Sequence, residues 1–171
     1  MKKEEHQSSR YDFKWVGGQF NTYFFDTTHQ VRYEVVFKPT PYLFGEDSIF
    51  SFYTFEFSIL VAQNPTNKLL FDSLIAPTIA AIFADFYHNS PETIAIYICD
   101  SSDNRHLTRM KKFNRWFEYY KGDSFVKIDS GFKESDGTLY PVSLIIKEKN
   151  PFRVQIFEAF LNVIDGYNSD K

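Results

Sequence analysis

The chain predicts an α+β domain built on a mixed, mostly antiparallel central sheet with about three packed helices. Aromatic residues make up 19% of its 171 positions, with 20 Phe and 11 Tyr, and large rings favour the pleated, half-buried surface of strands. Strand-like runs fill the first third and return near the end, whereas three other segments carry apolar residues at helical spacing. The resulting order is four strands, helix, strand, helix, two strands, helix. A chain of this length buries one core, expected over residues 11–166, with flexible tails at residues 1–10 and 167–171.

Each element has its own signal. Residues 11–16 alternate large and polar side chains and stop at Gly17 and Gly18, where positive φ is free of steric cost, so a hairpin into residues 19–26 is expected. Residues 31–37 form a third strand, ended by Pro39 and Pro41, which remove ladder donors. The longest strand signal covers residues 48–61. Phe50, Phe52, Thr54, Glu56 and Ser58 fall on one face and Ser51, Tyr53, Phe55, Phe57 and Ile59 on the other, so both faces are expected to be partly covered.

Ile75, Ile79, Ile82, Phe83 and Phe86 then recur as one helical stripe, with Asp72 or Ser73 as its cap. Pro77 sets the start of regular helix near residue 76. Residues 93–98 read as a central strand and residues 103–120 as the second helix. Residues 125–132 and 139–147 make a closing antiparallel pair around a polar turn. Asn150 and Pro151 suit the cap and first position of a last helix, whose stripe is Val154, Phe157, Phe160, Leu161 and Ile164.

Nineteen basic and 22 acidic side chains give a net charge of −3, which argues against a whole-molecule footprint for nucleic acid. The single cysteine, Cys99, has no internal partner, and no apolar run follows Met1, so a cytoplasmic protein is expected. No apolar stretch reaches the roughly 20 residues that span a bilayer. His6, His29, His88 and His106 show no metal-ligand spacing, and no metal is expected.

Chemistry concentrates where the central strand enters the second helix. Asp100, Ser101, Ser102, Asp103 and Asn104 lie at the carboxyl end of that strand, where open α/β sheets place ligand sites; Ser102 or Asp103 also serves as a plain helix cap. On a helical wheel Leu107, Met110, Phe113, Asn114 and Phe117 gather on the sheet side. Arg105, Arg109, Lys112 and Arg115 fall opposite, with Trp116 among them. Guanidinium groups hold phosphate or carboxylate in pairs of bonds and an indole stacks on a base. Asp100, Ser101, Ser102, Asn104, Arg105, Arg109, Lys112, Arg115 and Trp116 are therefore the candidate ligand-binding residues. The same cations equally make an ordinary solvated face, and Trp116 equally fits a core position under the last helix. His106 beside the stripe is a weaker candidate base, and Cys99 a weaker candidate nucleophile.

The strand and helix order from Val31 onward, with Ile94, Ala95, Ile96, Tyr97 and Ile98 followed by Ser101 to Asn104 and a helix, resembles the C-terminal two-thirds of GNAT-type acyltransferases. That resemblance implies acetyl-CoA as cofactor, its pyrophosphate held by a loop whose positions here are Phe71, Leu74 and Ala76. Only Ala76 agrees with the family's loop, and the family's tyrosine acid falls at Lys111, so no resident cofactor is expected. Residues 97–104, 113–117 and 143–146 with Asn150 and Pro151 are also similar to an uncharacterised family of small Bacteroidetes proteins, which implies a bacterial cytoplasmic protein and no particular activity. The expected function is a non-catalytic binding or regulatory domain gripping an anionic ligand or protein partner through the basic helix. The alternatives are an acyl-CoA-dependent N-acyltransferase with a divergent cofactor loop and a nucleic-acid interaction module.

Overall fold

In the computed structural model, which describes residues 9–99 and 105–170, seven strands form one sheet in the order β1-β2-β3-β4-β5-β7-β6. The strands are β1 (Lys14–Gly17), β2 (Thr22–Asp26), β3 (Arg32–Pro39), β4 (Thr54–Gln63), β5 (Ile94–Ile98), β6 (Phe125–Lys133) and β7 (Leu139–Lys147), and the helices are α1 (Ile75–Asn89), α2 (His106–Tyr120) and α3 (Arg153–Ser169). Every neighbouring pair is antiparallel except β4 and β5. The architecture is the α+β class expected, with the expected order of elements.

Gly17 and Gly18 take positive φ at the first hairpin, as a tight reversal requires. The strand expected at residues 48–61 is shorter: residues 51–53 form a 3₁₀ turn and β4 starts at Thr54. Phe52, 86% exposed, therefore packs on neither face. Pro77 lies in the first turn of α1, where the N–H it lacks would have no intrahelical partner, so the helix starts at Ile75. Asp72 does not cap it directly; its carboxylate accepts the Leu74 N–H at 2.9 Å, with Leu74 in the cap position. Asn150 likewise accepts the Phe152 N–H at 2.9 Å and bends the chain one turn before α3, which begins at Arg153.

β4 and β5 are parallel, and β5 and β6 point the same way because each is antiparallel to β7. The connections through α1 and α2 are thus crossovers that bring both helices back along one face, side by side and in the same direction. That face holds the larger core. Phe57 at its centre touches Phe37, Phe83, Tyr97 and Phe113, with ring centroids 5.2 to 5.9 Å apart. On the other face α3 covers Ile94, Ile96, Val142, Leu144 and Ile146 with Ile156, Phe160 and Ile164, one residue per turn. Val154 and Leu161, expected in that stripe, are exposed instead. β5, covered on both faces, is buried at every position but Ile98, which is why it reads as an unbroken apolar run.

Candidate functional site

α2 is held to the sheet along one flank. Met110 and Phe113 are its buried residues, and the Phe113 ring lies 4.1 Å from that of Tyr97 on β5. On the β6 side Lys127, whose side chain is only 6% exposed, donates to Asn114 Oδ1 at 3.1 Å. Its ammonium also sits 5.6 Å from the centroid of the Phe117 ring and pairs with Asp129. Leu107, expected on the sheet side, is 52% exposed; the buried face is centred nearer Phe113.

The opposite flank faces α1. Arg105, Arg109, Lys112 and Trp116 are spaced by four, three and four residues, which stacks them along one side of a helix. Trp116 is half-buried and packs against the main core. It walls an open groove with Ala76, Ile79, Ala80 and Phe83 of α1 and with Phe113, Phe117, Tyr120, Lys121 and Phe125. Its place is thus between α1 and α2, not under the last helix. The Lys112 ammonium lies 4.7 Å from the centroid of the indole, within the range of cation–π attraction. Arg115 is exposed and, one residue before Trp116, is turned about 100° away from it. The structure brings Arg105, Arg109, Lys112 and Trp116 to one flank and leaves Arg115 outside it.

Arg109 is half-buried and near enough to Tyr97 and Cys99 to act on both electrostatically. Burial raises the Cys99 thiol, while a hydrogen bond from Tyr97 and the Arg109 charge pull weakly the other way. The Tyr97 phenol is also raised, chiefly by burial. A buried, protonated thiol is a poor nucleophile, so the Cys99 expectation loses its chemical basis. His106 stacks on Tyr140 of β7, centroids 6.2 Å apart and planes at 22°. That interaction is with β7, at the first turn of α2. Its buried Nδ1 has no hydrogen-bond partner among the described residues.

Asp100, Ser101, Ser102, Asp103 and Asn104 lie outside the described residues; α2 as described has Arg105 in its cap position. Among the described residues no group of three or more His, Cys, Asp or Glu is placed to hold a metal ion, and no helix is long and apolar enough to cross a membrane. Near the loop positions named for a pyrophosphate, Phe71 is 93% exposed, Leu74 occupies the α1 cap position and Ala76 lines the groove.

The residues that sequence reasoning passed over are the α1 wall, above all Ala80, and Tyr120 and Phe125 at the groove's far end. One signal was available: residues 75–84 carry no charged side chain, which is unusual for a helix with a water-facing side.

A family model described as a family of unknown function, DUF6169, matches residues 71–162, a span from the loop before α1 into α3. No curated protein and no solved structure matches the chain.

Proposed function

Because the chain belongs to DUF6169, a family of unknown function, we propose its role from geometry: a non-catalytic binding or regulatory domain that grips an anionic ligand or partner along the basic flank of α2. The observation that carries this reading is the Lys112 ammonium 4.7 Å from the Trp116 ring, on the flank that also bears Arg105 and Arg109. An indole and cations side by side bind a planar or apolar group together with the anion attached to it. A bacterial, cytoplasmic setting, as the second resemblance implies, belongs to the same proposal.

The test is a thermal-shift screen of the full chain with ATP, CoA, polyphosphate and oligoglutamate. At least one anion should raise the transition, less so as salt increases, and Lys112→Glu should weaken that ligand by about tenfold or more, the equivalent of one lost charged contact. No stabilising anion, or a shift unaltered in a folded Lys112→Glu protein, overturns the reading.

A second reading, an acyl-CoA-dependent N-acyltransferase with a GNAT-like sheet and a divergent cofactor loop, draws support from the parting of β4 and β5. Their pairing ends at Phe57 and Tyr97, whereas β4 continues to Gln63 against β3. Backbone groups of residues 58–63 on that side have no strand partner among the described residues, and an extended ligand rich in amides matches such a row. Calorimetry with millimolar acetyl-CoA should then give saturable heat; no heat removes this alternative.

A further inference from the structure

We infer that a hollow at the leading ends of β4 and β5 binds a small methylated-ammonium compound of the choline type, its charge resting on aromatic rings and met by Glu92. The hollow lies at the opposite end of β5 from the start of α2, so it stands independently of the reading of α2.

β4 and β5 start side by side, Thr54 opposite Ile94, and the turns that precede them open on the same place as the chain entering α3. The hollow between these segments holds about 380 Å³, within the roughly 300–1,000 Å³ of small-molecule sites. Its floor is the buried pair Ile94 and Ile156, and its aromatic wall is Phe50, Tyr53 and Phe152. The Phe50 and Phe152 rings stand 6.2 Å apart at 59°. Tyr53 and Phe152 are exposed, so ring surface is left uncovered beside the hollow. Glu92 is the one charged residue that lines it, and it forms no ion pair among the described residues. Arg153 is taken by Glu148, and Lys147 and Lys149 border an adjoining hollow without pairing with Glu92. The start of α3 carries about half a positive charge, less than the full charge of the carboxylate.

Rings with a single carboxylate select the kind of cation. A primary ammonium brings three N–H donors and a guanidinium five, whereas the side-chain acceptors free here are Glu92 and the Tyr53 hydroxyl, because Asn150 Oδ1 is taken by the Phe152 N–H. Donors left over in an aromatic hollow oppose binding. A methylated ammonium brings none, and ring faces within about 6 Å attract it. Asn150 is 7% exposed and lines the hollow, and its side-chain nitrogen has no partner among the described residues. That nitrogen is a donor for an oxygen on the same ligand, such as the choline hydroxyl.

The test is ligand-observed NMR on the full chain with three probes: choline, the neutral alcohol in which a quaternary carbon replaces its nitrogen, and ethanolamine. Choline should bind saturably, and each of the other two roughly fivefold or more weaker, the factor expected of one cation–π contact. Glu92→Gln should weaken choline by a similar factor and leave the neutral alcohol unchanged. Phe152→Leu, which keeps an apolar side chain and removes the ring, should weaken choline as well. Both residues are exposed, circular dichroism reports whether each variant is folded, and Tyr53→Leu repeats the ring test if Phe152→Leu is not. Choline binding should be unaltered in Lys112→Glu, which separates this hollow from the flank of α2. No saturable binding of choline, equal binding of the neutral alcohol, or equal or tighter binding of ethanolamine overturns the inference. So does choline affinity unchanged in folded Glu92→Gln or in a folded ring variant, or abolished in folded Lys112→Glu.

Discussion

Tyr87 illustrates how single polar atoms tie this aromatic core together. Fully buried on α1, it donates its hydroxyl hydrogen to the Ile145 carbonyl of β7 at 2.7 Å and also bonds the backbone of Ala95 on β5. Ala95 and Ile145 are paired across those strands, so the phenol sits over the seam between them. Tyr87→Phe should cost about 1–2 kcal/mol in urea denaturation, the usual loss when a buried hydrogen bond goes; an unchanged midpoint would mean that the bond adds nothing. Cys99 makes the complementary point. Burial holds its thiol up and the side chain is 2% exposed, so alkylation by iodoacetamide at pH 8 should be at least about tenfold slower in the folded protein than in urea. Fast labelling of the native chain would restore Cys99 as a reactive group.

At the scale of elements, α2 is asymmetric. One flank is fixed to β6 through Lys127, Asn114 and Phe117, and the other borders the groove beside α1. The fixed flank sets the position of the flank beside the groove. Lys127→Ala removes a nearly buried cation whose partner Asp129 is half exposed and rehydrates easily. The expected loss is about 1–3 kcal/mol, below the range for a fully buried pair, measured as a lower thermal midpoint. The variant should also weaken whatever anion α2 holds, because the helix is then less firmly seated. Lys112→Glu, by contrast, should change binding with little change in stability, since Lys112 is exposed.

The whole molecule is a twisted sheet covered by α1 and α2 on one face and by α3 on part of the other. Burial raises the pKa of Tyr23, Tyr87, Tyr97 and Cys99, with the Asp85 bond adding to the effect at Tyr23. The folded chain therefore keeps protons that the unfolded chain releases. That stabilisation is complete below the unfolded values, about 8.5 for a thiol and 10 for a phenol, and is lost as pH rises beyond them. The thermal midpoint should hold steady from pH 7 to 8 and fall progressively between about pH 8.5 and 11. A flat profile over that range would contradict the burial of these groups.

The elements and their order were legible in the sequence because each follows from local rules: period-2 aromatic runs, apolar residues once per helical turn, and glycine or proline at reversals. Boundaries failed where a local turn competed, as at Phe52, which the alternation assigned to a strand that forms only from Thr54, the chain before it being turned by bonds from Tyr53 N–H and the Thr54 hydroxyl to the Phe50 carbonyl. Spacing also suggested a stripe of Arg105, Arg109, Lys112 and Arg115 with Trp116 among them, from which Arg115, exposed and turned about 100° from Trp116, falls away. What each flank packs against was not legible: that depends on Lys127 reaching Asn114 from β6, thirteen residues away in sequence, and on α1 returning beside α2. The chain by itself specified an amphipathic helix with cations. Only the crossover of two parallel helices on one face, fixed by strand pairing far apart in sequence, set Trp116 of that helix into a groove beside α1.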